Sequence, residues 1–258
     1  MSQETNLNVA PYFDDFNANN DYYKVLFKPA YPVQARELNN LQSILQNQIE
    51  KFGQHFFKEG AKIVPGNTTY TTPYESVQLE NVYLGIPVSD YINQLNGRKI
   101  TGLTSGVTAV VDTILSARNS EKGNTTLYVK YVGSGSNDNS TSKFLDDELL
   151  SVDRDVISAN TTIAAGEPLA STLVSDATSA GSAFSIAEGI YFTRGQFVNV
   201  SSQRIILDQY SSTPNYRVGL YIDEQVINAD INPSLNDNAR GFTNFAAPGA
   251  DRFKITTS

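Results

Sequence analysis

His55 is the one side chain of this 258-residue sequence whose ordinary pKa suits general-base work near neutral pH. There is no cysteine to serve as nucleophile, thiolate ligand or disulfide partner. A Ser-His-Asp triad within the chain would have to be built on His55, and a multi-histidine metal site within one chain is excluded. The remaining reactive groups are carboxylates. Asp14-Asp15, Asp146-Asp147-Glu148 and Asp153 with Asp155 are candidates for acid–base pairs or cation ligands. Spacing in the chain does not set the separation a glycosidase pair needs. The stretch 230–238, with Asp230 and Asp237, superficially resembles a calcium loop, but it lacks that loop's order and its terminal glutamate. No phosphate-cradling, dinucleotide-binding, zinc-protease or nucleophile-elbow motif is present. The carboxylates therefore read as solvated turns and His55 as a packing or contact residue. A three-fold ring of His55 around an axis is the one ligand site its position would permit. No catalytic, cofactor-binding or metal-binding residue is assigned, and the expectation is a protein that is not an enzyme and carries no cofactor.

Residues 32–57 have the pattern of a helix. Pro32 suits a first turn, where its missing N–H costs nothing. Leu38, Leu41, Leu45, Gln48, Phe52 and His55 follow one another at alternating three- and four-residue steps, and Ile44, Ile49 and Phe56 widen the stripe. Such a stripe fits packing on the chain's own core or a short seam between several helices with Gln48 as a polar layer. Asn39, Asn40, Gln42, Gln46 and Asn47 read as the outer face. Ahead of the helix, residues 1–31 form an irregular aromatic arm, with Tyr12, Phe13, Phe16, Tyr22, Tyr23, Phe27 and Tyr31 among Asp and Asn. It has to pack on its own domain or on a neighbouring subunit.

After residue 57 the signals change to strands. The sequence is read as mainly β with one long N-terminal helix (α+β), an antiparallel sandwich- or barrel-like domain with a small inserted β module. The expected divisions are an arm and helix (1–57), a main β domain (58–96 and 183–258), the inserted module (97–154) and a connector (155–182). In the module, 126–132 alternates, with Leu127, Val129 and Tyr131 on one face. Residues 133–142 read as a solvated loop and 144–150 as a turn or short helix. The connector is rich in Ala, Ser, Thr and Gly. Residues 183–227 read as a meander of short strands, 229–250 as loop and 252–257 as a last strand. That strand either pairs early in the fold or marks the front part of a longer protein.

The net charge is −8, and basic residues are scattered without a stripe of stacking aromatics, which excludes an obvious nucleic-acid surface. The first residues lack the basic and apolar regions of a secretory signal, and no apolar run approaches the ~20 residues of a membrane span. Synthesis in a cytoplasm without direct membrane insertion is expected.

Two blocks carry a resemblance. The first is YFDDFN…YYKVLFKPAYPVQARELNNLQSILQNQIEKFGQHFFKEGAKIVPG over 12–66; the second is EGIYFTRGQFVNVSSQRIILDQYSSTPNYRVGLYIDEQVI…PSLNDNARGFTNFAAPGADRFKI over 188–255. Together, over about half of the chain, they resemble baseplate and tail-fibre structural proteins of contractile-tailed bacteriophages, including cyanophages. The resemblance implies a virion part that joins fibres or spikes to the tail, partnered by other tail, baseplate and fibre proteins. It also implies a longer chain, and it brings no catalytic residues. With the helix stripe it points to a homotrimer whose contacts are made by Tyr12, Phe13, Phe16, Leu38, Leu41, Leu45, Ile49, Phe52 and His55. The alternative is a receptor- or glycan-binding tail spike, for which the tyrosines, asparagines and aspartates would supply stacking and hydrogen bonds.

Overall fold

The computed structural model of the chain describes residues 3–158 and 161–258. Residues 159 and 160 of the expected connector lie outside the described residues. The chain is mainly β, its strand pairs are antiparallel in every register given below, and it divides into two compact units. The first comprises Met1–Thr68, Ile186–Gln203 and Val218–Ser258; the second comprises Thr69–Ser185 and Arg204–Arg217.

The first unit holds the one α-helix among the described residues, Ala35–Phe56. It starts three residues later than Pro32 suggested, because a different device closes its first turn. Gln34 is the N-cap, and the Glu37 carboxylate accepts the Gln34 backbone N–H at 2.9 Å. Strand Ala61–Val64 pairs with Gly189–Thr193, which pairs in turn with Gln196–Val200. The hairpin between the last two turns on Arg194 and Gly195, both at positive φ (50° and 74°), as a two-residue turn with left-handed residues requires. Ile222–Ile227 pairs with Arg252–Thr257, so the last strand finds its partner close by in sequence.

The second unit is built on an open eight-stranded sheet. Its strand order is Pro168–Ser171, Leu149–Val152, Lys99–Gly102, Thr108–Leu115, Thr126–Gly133, Thr68–Gln78, Thr178–Ile186 and Gln203–Asp208. The two end strands are not joined, so no barrel closes. The segment between Gln78 and Lys99 folds back as two 3₁₀ turns, and its Val88, Tyr91, Ile92 and Leu95 enter the same buried cluster as Leu127 and Val129. Tyr128, the intervening residue, belongs to a different cluster and stacks on Tyr74 at 4.6 Å. The alternation of 126–132 is thus realised as two differently covered sheet faces. Burial pushes the hydroxyls of Tyr74 and Tyr91 up to about 12. Tyr91 donates to the Leu169 carbonyl, and Tyr74 donates to Asp112 at 2.7 Å.

Several expectations need correction. The strands of 97–154 are not a separate module; they sit inside the eight-stranded sheet. The expected connector supplies three strands and most of a fourth: Val156–Ser158, Thr161–Ile163, Pro168–Ser171 and the start of Thr178–Ile186. Strand character also begins at Leu149, where a turn or helix was expected. The stretch 183–227 is not one meander, because Gly189–Thr193 and Gln196–Val200 join one sheet while Thr178–Ile186 and Gln203–Asp208 join the other. The last strand of that stretch, Ile222–Ile227, pairs with neither of these sheets but with Arg252–Thr257.

Candidate subunit interface

The helix Ala35–Phe56 presents a polar stripe to its own unit. At 100° per residue, Asn40, Ser43, Asn47 and Glu50 lie together, roughly opposite Leu38, Leu45, Ile49 and Phe52. Asn47 and Glu50 are each only 7% exposed. Neighbouring side chains fix this face with directional contacts. The Asp14 carboxylate, itself buried, accepts from the Ser43 hydroxyl at 2.5 Å and from the Asn40 amide at 3.1 Å. Asn39 donates to the Tyr12 carbonyl at 3.0 Å, and Gln46 donates to the Gly195 carbonyl at 2.9 Å. Gly53 lies against the Phe192 ring so closely that a Cβ there would stand 2.3 Å from Cε2. Of the helix's aliphatic side chains, only Ile44 is buried.

The apolar stripe is consequently left uncovered. Leu45 is 57% exposed and Phe52 63%; Leu38, Ile49 and Phe56 are exposed as well, and Leu41 is half-buried. His55 is exposed and stands edge-on to the Phe56 ring at 5.1 Å. Of the five residues read as the outer face, Gln42 is exposed, while Asn39, Asn40, Gln46 and Asn47 lie inward or half-buried rather than outward. Of the nine residues expected at a subunit interface, six lie along this surface: Leu38, Leu41, Leu45, Ile49, Phe52 and His55.

The other three part company. Tyr12 is half-buried and donates to Asp251 at 2.5 Å; the hydrogen bond and the nearby charge raise its hydroxyl above the ordinary tyrosine value. Phe16 is also half-buried, while Phe13 is exposed. The arm's beginning is thus pinned to its own unit by polar groups. Asp15 closes it further, accepting from Arg36 at 3.1 Å and from Asn40 at 2.9 Å. Beyond this point residues 17–33 contain no α-helix or strand, and Tyr22, Tyr23, Leu26, Phe27, Tyr31 and Val33 are exposed. Tyr22, Tyr23, Phe27 and Tyr31 belong to the aromatic arm expected to pack on its own domain or a neighbouring subunit, but none of the six was among the nine interface residues.

Several of the carboxylates singled out for chemistry are engaged in structure. Glu148, 1% exposed, accepts from the backbone N–H of Thr104 at 2.9 Å, Ser105 at 2.5 Å and Leu145 at 2.8 Å. It is a buried anchor for two loops and not the solvated turn expected. Asp146 accepts from Ala177 N–H, Asp155 from Ala165 N–H and Asp237 from Ala239 N–H. Among the described residues no group of three or more His, Cys, Asp or Glu is arranged to hold a metal ion. A cleft of about 540 Å³ in the first unit is lined by Gln3, Tyr12, Gln42, Gln46, Gln196 and Asp251, among others.

The N-terminal segment is fastened by a charged cluster. Glu224, its side chain 3% exposed, accepts from the Thr5 hydroxyl at 2.7 Å, from the Thr5 N–H at 2.8 Å and from Arg194 at 2.9 Å. Burial pushes the Glu224 carboxyl up, but the Thr5 and Arg194 hydrogen bonds prevail and hold it below the ordinary glutamate value. A depressed carboxyl contributes stability that is fully present above its unfolded value and is lost as pH falls through the folded one. The backbone N–H groups of Glu4 and Thr5 both donate to Glu224, so their protection, measured against the intrinsic exchange rate at each pH, is therefore expected to be full at pH 6 and to fall only below the ordinary glutamate value of about 4.3. Equal protection at pH 6 and pH 3 would remove Glu224 as the fastener.

No helix among the described residues is long and apolar enough to cross a membrane. No curated protein and no solved structure matches the chain. Over residues 10–108, which hold the pinned arm, the aromatic loop, the helix and the first strands of the second unit, the chain is similar to the family described as Domain of unknown function (DUF4815).

Proposed function

We propose that this chain is a structural subunit of a phage tail, at the baseplate or the fibre root, that self-associates as a homotrimer through the helix Ala35–Phe56 and acts as an assembly adaptor. The observation that carries the self-association is the outward apolar stripe: Leu38, Leu41, Leu45, Ile49, Phe52 and Phe56 are uncovered or half-covered by their own unit. The stripe keeps seam spacing, and Gln48 and His55 fall at polar positions within it. The tail assignment rests on the resemblance of the two sequence blocks.

Energetics favour a contact of this kind without making it tight. Full burial of an apolar side chain contributes roughly 1.5–3 kcal/mol. Side chains already about half covered gain about 1 kcal/mol each, or about 6 kcal/mol per helix for six of them. Association itself costs about 4–15 kcal/mol in lost freedom. The stripe alone thus sits near the threshold. Sedimentation equilibrium of the purified chain at micromolar concentration is expected to give three times the mass of one chain. A monomer throughout the range would reject the self-association. The tail assignment is tested separately, by locating the chain in an electron-microscopy map of a particle; a map of the tail without it rejects that half of the proposal.

A further inference from the structure

We infer that residues 16–34 form a clasp that closes over a second copy of this chain, an inference that rests on the self-association proposed above. The segment is a loop with a pinned base. Its entry is held by Asp15 on Arg36 and Asn40, and its exit is the helix N-terminus itself. Between these ends its described hydrogen bonds are local. Asn20 N–H donates to Asn17, Asp21 N–H to Ala18 and Tyr31 N–H to Lys28, and no described bond from residues 17–33 reaches the rest of the chain.

Six large side chains of the loop, Tyr22, Tyr23, Leu26, Phe27, Tyr31 and Val33, stand in solvent. A second copy is the occupant for three reasons. First, only residues 34–37 separate Val33, the last of the exposed set in the loop, from Leu38, the first of the helix stripe, so a partner on one adjoins the other. Second, the helix stripe by itself barely offsets the freedom lost on association, and the loop supplies a comparable second set of apolar side chains. Third, the loop carries Lys24 and Lys28 against Asp21 alone, a small positive excess on a chain whose net charge is −8. Its reach is sufficient. Nineteen residues running out and back extend at most about 30 Å, whereas neighbouring packed helices lie about 8–10 Å apart.

The chain has no cysteine, so single introduced thiols report their positions without interference. Tyr23→Cys and Phe27→Cys are compared for maleimide reactivity, with Asn119→Cys, exposed in the second unit, giving the unprotected rate. In the wild-type background at trimer concentrations both loop thiols are expected to react at least tenfold more slowly than Asn119→Cys. In the Leu41→Asp, Leu45→Asp background they are expected to match it. Loop thiols that react freely within an intact trimer overturn the clasp and leave the helix seam standing. Protection that persists in the monomeric background overturns it too, since the cover would then come from the same chain. A wild-type chain that never associates overturns both proposals. A loop variant that folds but no longer associates supports the clasp.

Discussion

Leu41→Asp combined with Leu45→Asp is expected to leave a folded monomer. In a trimer the double variant brings six carboxylates to the seam, and an unpaired charge removed from water costs several kcal/mol unless it takes up a proton. Two leucines per chain are lost from the contact as well. Together these weaken association by roughly three orders of magnitude or more, at about 1.4 kcal/mol per tenfold. The monomer should nevertheless keep its fold, because Leu45 is exposed, Leu41 is only half-buried, and the directional contacts that dock the helix come from other residues. Docking is made by Asn39, Asn40, Ser43 and Gln46 and by the contact of Gly53 with Phe192. Light scattering gives the mass and far-UV circular dichroism the helix content. A trimer that survives the substitution rejects the seam. A monomer that has also lost its helix shows instead that the stripe packs within the chain.

Glu148→Ala is expected to destabilise the second unit by about 3–5 kcal/mol, because it strands several backbone donors in the interior at about 1–3 kcal/mol each. The three amides of Thr104, Ser105 and Leu145 converge on this carboxylate. The neighbouring backbone has formed around it, since a Cβ on Gly102 would lie 2.5 Å from its Oε1. The thermal midpoint should drop by about 10 °C or more for a unit of this size. Glu148→Gln keeps the shape and one acceptor oxygen, so its loss should be smaller. Equal stability of Glu148→Ala and wild type would mean that water serves the three amides equally well. Neither substitution touches the helix stripe, so association at low temperature is expected to be unchanged.

The two halves of the molecule were unequally legible in the sequence. Alternation worked where it reports two sheet faces, as in Leu127, Val129 and Tyr131 against Tyr128. It failed where strands are made from small residues. The first part of Thr178–Ile186, up to residue 182, reads as a linker, yet Ala177 and Ser182 are buried, and a Cβ on Gly181 would come within 2.6 Å of the Asp208 and Gln209 carbonyl oxygens. Backbones that approach so closely exclude the large apolar residues on which strand recognition depends.

The helix shows a different limit. Its period and its apolar stripe could be read directly, but not the direction in which the stripe points. That is decided by Asp14 and Asp15, some 25 residues away, and by a hairpin far along the chain, which together satisfy the polar face. Sequence reasoning also treated Glu148 as one member of an acidic run. Only the folded loops bring three donors to it and separate it from Asp146 and Asp147.

The buried apolar residues of the first unit are few: Ile44, Ile186, Tyr191, Phe192, Val198 and Val200 among those described. The second unit has a large core of its own. If the uncovered surfaces of the first unit close only between copies, the two units obey different thermodynamics. The second has a melting point fixed by its sequence. The first has one that rises with concentration by mass action, since binding stabilises the folded form. A cell that has made only a little of this protein would then hold it half-rigid, exposed to proteases along residues 16–34. The same copies become durable once enough of them are present to assemble, so the chain's lifetime would report its own abundance.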